Sequence, residues 1–264
     1  MKKIVWLFAL VVLLNSCSDY QKALKSDNVA TKFALATELY EAGKYSKAIR
    51  LFEQLAPSYK GKPQAEKLFY MFSKAYYNTK QYYLAGYQFE SFAAGYPRSE
   101  KVEEAAYLSA KSYSMLSPVY SLDQKDTYKA IEKTQNFIDN YPNSEYIVEA
   151  NATMKVLTDK LEKKSFEIAK QYNTISDYKS ALVAFDNFIA DFPGTMYKED
   201  ALFYKYDSAY KLAINSVYDK MNDRLNVAKT SYNNLMKFNS ETKYKEKAAE
   251  MNARIDTDLE KFKI

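Results

Sequence analysis

The chain has 264 residues, 38 Lys and Arg against 33 Asp and Glu, one Cys and no His. That composition excludes a disulfide framework, a zinc site built from His or several Cys, and any reaction run by a His base. With only 5 Gly and 6 Pro it also argues against a many-turned all-β protein, while 47% hydrophobic residues and 26 Tyr suit helices stacked on one another. The near balance of charge gives no case for a nucleic-acid partner.

Lys2 and Lys3 precede the uninterrupted apolar run Ile4 to Leu14. A spanning helix needs about 20 apolar residues, so this shorter run reads as a secretory signal. It closes in Leu14-Asn15-Ser16-Cys17, which resembles a bacterial lipobox: Leu three before the Cys and a small residue just before it. The resemblance implies cleavage after Ser16 and acylation of Cys17. Residues 1–16 are then a lipoprotein signal peptide and 17–27 a lipid-anchored tether. Two or more acyl chains hold firmly, at about 0.8 kcal/mol per buried methylene. Ser18 rather than Asp follows the Cys, which by the same resemblance implies the outer membrane.

A joint recurs along the rest of the chain. It reads Phe92, Tyr96, Pro97, Ser99, then Phe137, Tyr141, Pro142, Ser144, then Phe188, Phe192, Pro193, Thr195. The residue before Pro avoids the α region, so each joint ends a helix. The Ser or Thr is expected to N-cap the next helix, with acids such as Glu103, Glu145 and Glu199 in or near its first turn. Ala85, Ala130 and Ala181 stand twelve residues before the three prolines, and Ala48 and Ala228 take that place in two further units. Phe52, Phe89, Phe185 and Tyr232 follow four residues later. Small residues where helices cross and large ones in the gaps form the tetratricopeptide pattern.

These marks predict an all-α tetratricopeptide-repeat solenoid of five helix pairs plus a C-terminal capping helix. The pairs run about 28–60, 64–97, 99–142, 144–193 and 195–240. The third carries an insertion over Ser117 to Gln124. The N-terminal repeats one to three occupy 28–142 and the C-terminal repeats four and five 143–240. Residues 241–264 place Tyr244, Ala248, Met251, Ile255, Leu259 and Phe262 on one stripe, as a cap for the last apolar surface.

A lipobox followed at once by five long tetratricopeptide pairs, with this insertion, resembles the BamD family, lipoproteins of the outer-membrane β-barrel assembly machinery. The insertion is similar to the form found in the Bacteroidota branch. The resemblance implies a scaffold, not an enzyme, lipid-anchored on the periplasmic face of the outer membrane. It implies as partners the periplasmic POTRA domains of BamA, unfolded outer-membrane proteins and accessory Bam lipoproteins. In the stretch Ala181 to Phe185, where the family carries a basic residue for POTRA docking, this chain has no Arg or Lys.

Tetratricopeptide stacks bind extended peptides along the first helix of each pair. That register predicts a peptide-binding groove of Phe33, Tyr40, Tyr70, Lys74, Tyr77, Tyr107 and Lys111, with aromatics for apolar contact and lysines for a carboxylate. No catalytic constellation, metal site or cofactor is expected. Glu103 and Glu104 read as complements of a helix dipole. The alternatives are another periplasmic tetratricopeptide adaptor, which usually carries an N-terminal coiled coil absent here, and a SusD-like glycan-binding lipoprotein. The second is disfavoured by a single Trp that lies in the signal segment.

Overall fold

The computed structural model describes residues 19–262, and every regular element among them is a helix. Five pairs succeed one another: α1 (Val29–Glu41) with α2 (Tyr45–Tyr59), α3 (Ala65–Asn78) with α4 (Tyr82–Gly95), α5 (Val102–Ser114) with α6 (Lys125–Asn140), α7 (Ile147–Thr174) with α8 (Tyr178–Asp191), and α9 (Lys198–Ile214) with α10 (Tyr218–Phe238). α11 (Lys245–Glu260) closes the series. Residues 19–25 are also helical and bury Tyr20 and Ala23 in the first core. The expected signal segment and Cys17 lie outside the described residues.

The helices cross where the sequence places its small residues. Ala48, Ala85, Ala130, Ala181 and Ala228 are all fully buried. Phe52, Phe89 and Phe185, one turn later, fill the gaps between helices and are also fully buried. At Gly86 the approach is closest. An added Cβ would stand 3.0 Å from the Tyr113 ring, and Ser109 donates to the Gly86 carbonyl at 2.9 Å.

The turn inside a pair is shared as well. Lys44 donates to the Leu39 carbonyl, Gln81 to Tyr76 and Asp177 to Tyr172, each closing a helix end through one left-handed residue. Those residues are Gly43, Lys80 and Ser176, with φ of 71°, 60° and 65°.

The joints between pairs differ from expectation in one respect. Tyr96, Tyr141 and Phe192 leave the helical region before their prolines, with φ near −130° (−129°, −131° and −126°) and ψ near 60° (59°, 57° and 67°). The following Ser or Thr does not N-cap a helix. Ser99, Ser144 and Thr195 are buried, and each accepts the N–H two residues on, from Lys101, Tyr146 and Tyr197. The next helix starts one residue further along. The hydroxyl therefore closes a turn ahead of the helix, because burying it here demands a local partner. Asn239-Ser240-Glu241-Thr242 forms the same joint without a proline: Thr242 is buried, accepts from the Tyr244 N–H and donates to Glu199.

Packing divides the chain into two compact units. One runs to Pro118 and resumes over Asp123–Leu157, so it holds α1 to α6 and the start of α7. Its core is continuous from Tyr20 to Ala150 and rich in rings. The other comprises Val119–Leu122 and Thr158–Ile264. Within it Lys164 donates to the Leu122 carbonyl at 2.6 Å, and Lys163 lies over the Tyr120 ring. Here α11 buries Ala248, Met251 and Ile255, and the buried Tyr206 hydroxyl donates to the Ala248 carbonyl at 3.1 Å. Asp207, also buried, is held by Lys211 at 2.6 Å and by the Asn173 amide at 2.9 Å.

Candidate functional site

The first helices of pairs one to three carry the predicted groove residues, all within the first unit. Phe33 is half-buried and stacked on Tyr59 at 5.0 Å. Tyr40 is half-buried and edge-on to Tyr45 and Phe52. Tyr70, half-buried, packs its inner side on Phe92 at 5.6 Å and Phe89 at 6.4 Å. Tyr77 meets Tyr82 edge-on at 5.7 Å. The fold brings Tyr40, Tyr70 and Glu104 into one electrostatic neighbourhood and Tyr77, Tyr107 and Lys111 into another.

Both predicted lysines already hold carboxylates. Lys74 pairs with Glu104 at 3.0 Å, and Lys101 reaches the same carboxylate at 3.4 Å. Burial alone would raise Glu104. The Tyr70 hydroxyl and Lys74, then Lys101, overcome it and hold the group below its ordinary value. Burial likewise would lower Lys111, yet Glu149 at 2.7 Å and the Tyr107 hydroxyl keep it above the usual ammonium range. Glu104, Glu149 and Lys101 thus stand among the predicted groove residues, although the spacing in sequence assigns Glu104 only to a helix dipole. The signal was available in part, because Glu104, Tyr107 and Lys111 are spaced three and four apart on one helix face.

Tyr107 is 5% exposed. Its ring lies between Phe137 at 5.6 Å and Tyr146 at 4.4 Å, so it is a member of the core more than of the surface. Its hydroxyl is buried without a hydrogen bond of ordinary geometry. Its pKa is pushed up to about 12, by burial first and then by the nearby Glu149 carboxylate.

A second concavity, unread from the sequence, opens between α2 and α4 over α3. It measures about 920 Å³ and is lined by Phe69, Phe72, Tyr76, Phe92 and Tyr96. Glu53 accepts from the Tyr76 hydroxyl there at 3.0 Å. Among the described residues no cluster of three or more His, Cys, Asp and Glu could hold a metal ion, and no helix is long and apolar enough to cross a membrane.

Successive helix pairs that cross at buried alanines define a tetratricopeptide-type solenoid. The match extends to a particular family. Residues 26–225 match YfiO, described as an outer membrane lipoprotein, and the chain belongs to that family. Among curated relatives it is 23% identical to the outer membrane protein assembly factor BamD of Haemophilus influenzae, over 80% of this chain and 84% of that one. It is 24% identical to the Rickettsia prowazekii protein of the same name, over 71% and 74%. The Neisseria meningitidis serogroup A protein of that name is also 24% identical, over 76% and 82%. Among solved structures, the TPR2AB domain of yeast Sti1 in its pHSP90 complex aligns with 86% of this chain and 98% of its own, at a TM-score of 0.36 and 14% identity.

Proposed function

We propose that this chain is a lipid-anchored, non-enzymatic scaffold for the assembly of outer-membrane β-barrel proteins. The observation that carries the reading is the family match over residues 26–225, joined to relatives named as outer membrane protein assembly factors. In this reading residues 1–16 are cleaved, Cys17 carries the acyl chains, and 17–27 tether the repeats to the periplasmic face of the outer membrane. Repeats one to three, over 28–142, receive the client. Repeats four and five, over 143–240, are closed by the cap over 241–264. The partners are the POTRA domains of BamA, unfolded outer-membrane proteins and accessory Bam lipoproteins.

The client is an extended segment with alternating apolar and polar residues that ends in an aromatic and a free carboxylate. Tyr40, Tyr70 and Tyr77 offer partly exposed rings, which give apolar contact at small entropic cost. Lys74 and Lys111 take the carboxylate in exchange for Glu104 or Glu149. An exposed ion pair contributes up to about 1 kcal/mol, so exchange at the exposed Lys111–Glu149 pair is nearly neutral and the rings set the affinity. Micromolar binding, about 8 kcal/mol, lets the client be passed on. The test is retrieval of the tagged chain from detergent-solubilised outer membranes after crosslinking. A BamA-type barrel protein should come with it, and retrieval of the chain alone would sink the proposal.

A further inference from the structure

The joints reveal what the groove lacks at one place. Ser144 and Thr195 are followed two residues later by Tyr146 and Tyr197, but Ser99 is followed by Lys101. Tyr146 lies flat on Tyr107, with centroids 4.4 Å apart and planes at 8°. Tyr197 lies flat on Phe166 at 5.0 Å and 13°. The rings beneath are 5% and 4% exposed. Tyr70 holds the same register, since it packs on Phe89 and Phe92 as Phe166 packs on Phe185 and Phe188. Among the described residues no flat ring covers it, and it stays partly exposed. The Lys101 ammonium stands 5.7 Å from its centroid and that of Lys74 5.9 Å.

We propose that the open face of Tyr70 receives one aromatic side chain of an extended, carboxylate-bearing peptide, stacked there as Tyr146 stacks on Tyr107. The inference rests on the peptide-groove reading above and names the side chain the groove selects. The occupant follows from the molecule's own repeats, which fill this place with a tyrosine twice. It follows also from charge, because Lys74 and Lys101 share the single carboxylate of Glu104. The nearby Glu66 is engaged by the Ser99 hydroxyl at 2.6 Å. A peptide carboxylate beside the aromatic balances the second ammonium. Lys101 is 54% exposed, so its side chain can leave the ring at little cost.

Three short synthetic peptides test this: one ending in phenylalanine with a free carboxylate, one ending in alanine, and one ending in phenylalanine amide. Fluorescence anisotropy reads their binding to wild type, Lys101→Tyr and Lys101→Gln. Lys101→Tyr supplies the ring found at the other joints and should weaken the phenylalanine peptide by at least about tenfold. Lys101→Gln removes charge without filling the place and should cost about threefold or less. The alanine peptide should bind wild type at least about tenfold more weakly than the phenylalanine peptide, and the amide by a smaller factor. Proton NMR should show the terminal ring of the bound phenylalanine shifted upfield by Tyr70. Lys101→Tyr should keep its helical circular dichroism and hold or raise its thermal midpoint, since the new ring lies on Tyr70. A lowered midpoint would show that no ring fits there and overturn the proposal. If the phenylalanine and alanine endings bind alike, or Lys101→Tyr binds within about twofold of wild type, the subsite is wrong while the groove stands. If no ending binds wild type, the groove reading fails and the subsite with it.

Discussion

The Tyr107 ring lies on that of Tyr146 with centroids 4.4 Å apart and planes only 8° from parallel. Tyr146 precedes the helix of the next pair, so the contact joins pair three to pair four and buries Tyr107 to 5%. The two predicted groove tyrosines, 70 and 107, therefore answer mutation differently. Tyr107→Ala opens a cavity among Phe137, Tyr146 and Lys111 and should cost about 3–5 kcal/mol in urea unfolding. Tyr70→Leu keeps apolar bulk against Phe89 and Phe92 and should cost less than about 2 kcal/mol while weakening peptide binding. Equal losses of stability would contradict this division.

Gly86 is a second point where packing overrides propensity. Alanine is about 1 kcal/mol better than glycine inside a helix. At Gly86 the added methyl would meet the Tyr113 ring at 3.0 Å, against a helix pair tied by Ser109. Gly86→Ala should therefore destabilise, by about 1–2 kcal/mol in denaturant unfolding, and a stabilised variant would show that the ring moves freely.

Lys80 and Ser176 hold left-handed backbone, with φ of 60° and 65°, where the first pair uses Gly43. Lys80→Gly and Ser176→Gly relieve that strain and should each add about 0.5–1 kcal/mol to stability. Differential scanning calorimetry should show raised midpoints for both. Lowered midpoints would mean that side-chain contacts at these turns outweigh the backbone term.

Glu104 gives the stability of the first unit a pH dependence. Its folded value lies below the ordinary 4.5, so protonation favours the unfolded chain. Its stabilising contribution is full above about pH 4.5 and is lost as pH falls through the depressed folded value. Glu149, held by Lys111, shifts in the same direction. Thermal midpoints should fall on the acid side, and Glu104→Gln should flatten part of that fall. An unchanged acid limb in the variant would show that Glu104 does not contribute.

The anchoring proposal is checked at Cys17. Cys17→Ser should give a chain without lipid that leaves the outer-membrane fraction. Metabolic labelling with palmitate should mark wild type and not the variant. A labelled variant, or one that stays bound in the absence of other proteins, would refute acylation at this residue.

Much of the fold was legible because crossing helices need small residues at fixed places. Ala48, Ala85, Ala130, Ala181 and Ala228 could be read as one register, and all five are fully buried. The joint before α11 was harder to see, since Asn239 and Ser240 replace the aromatic and the proline, and only the buried Thr242 keeps the pattern. The hydroxyls at the joints were placed correctly but given the wrong partner: sequence shows a capping residue type, not where the first helical turn begins.

The sequence by itself determined the helices, their pairing and the face that carries Tyr70, Lys74, Tyr107 and Lys111, because those follow from spacing along one chain. Only the tertiary structure decided which of these side chains remain accessible. That depends on residues 30 or more positions away: Glu104 on Lys74, Glu149 on Lys111, Tyr146 over Tyr107, and Lys101 where Tyr70 would otherwise be covered. Side-chain type and helical period place a residue on a face, but whether that face is open is settled by what the next repeat lays on it.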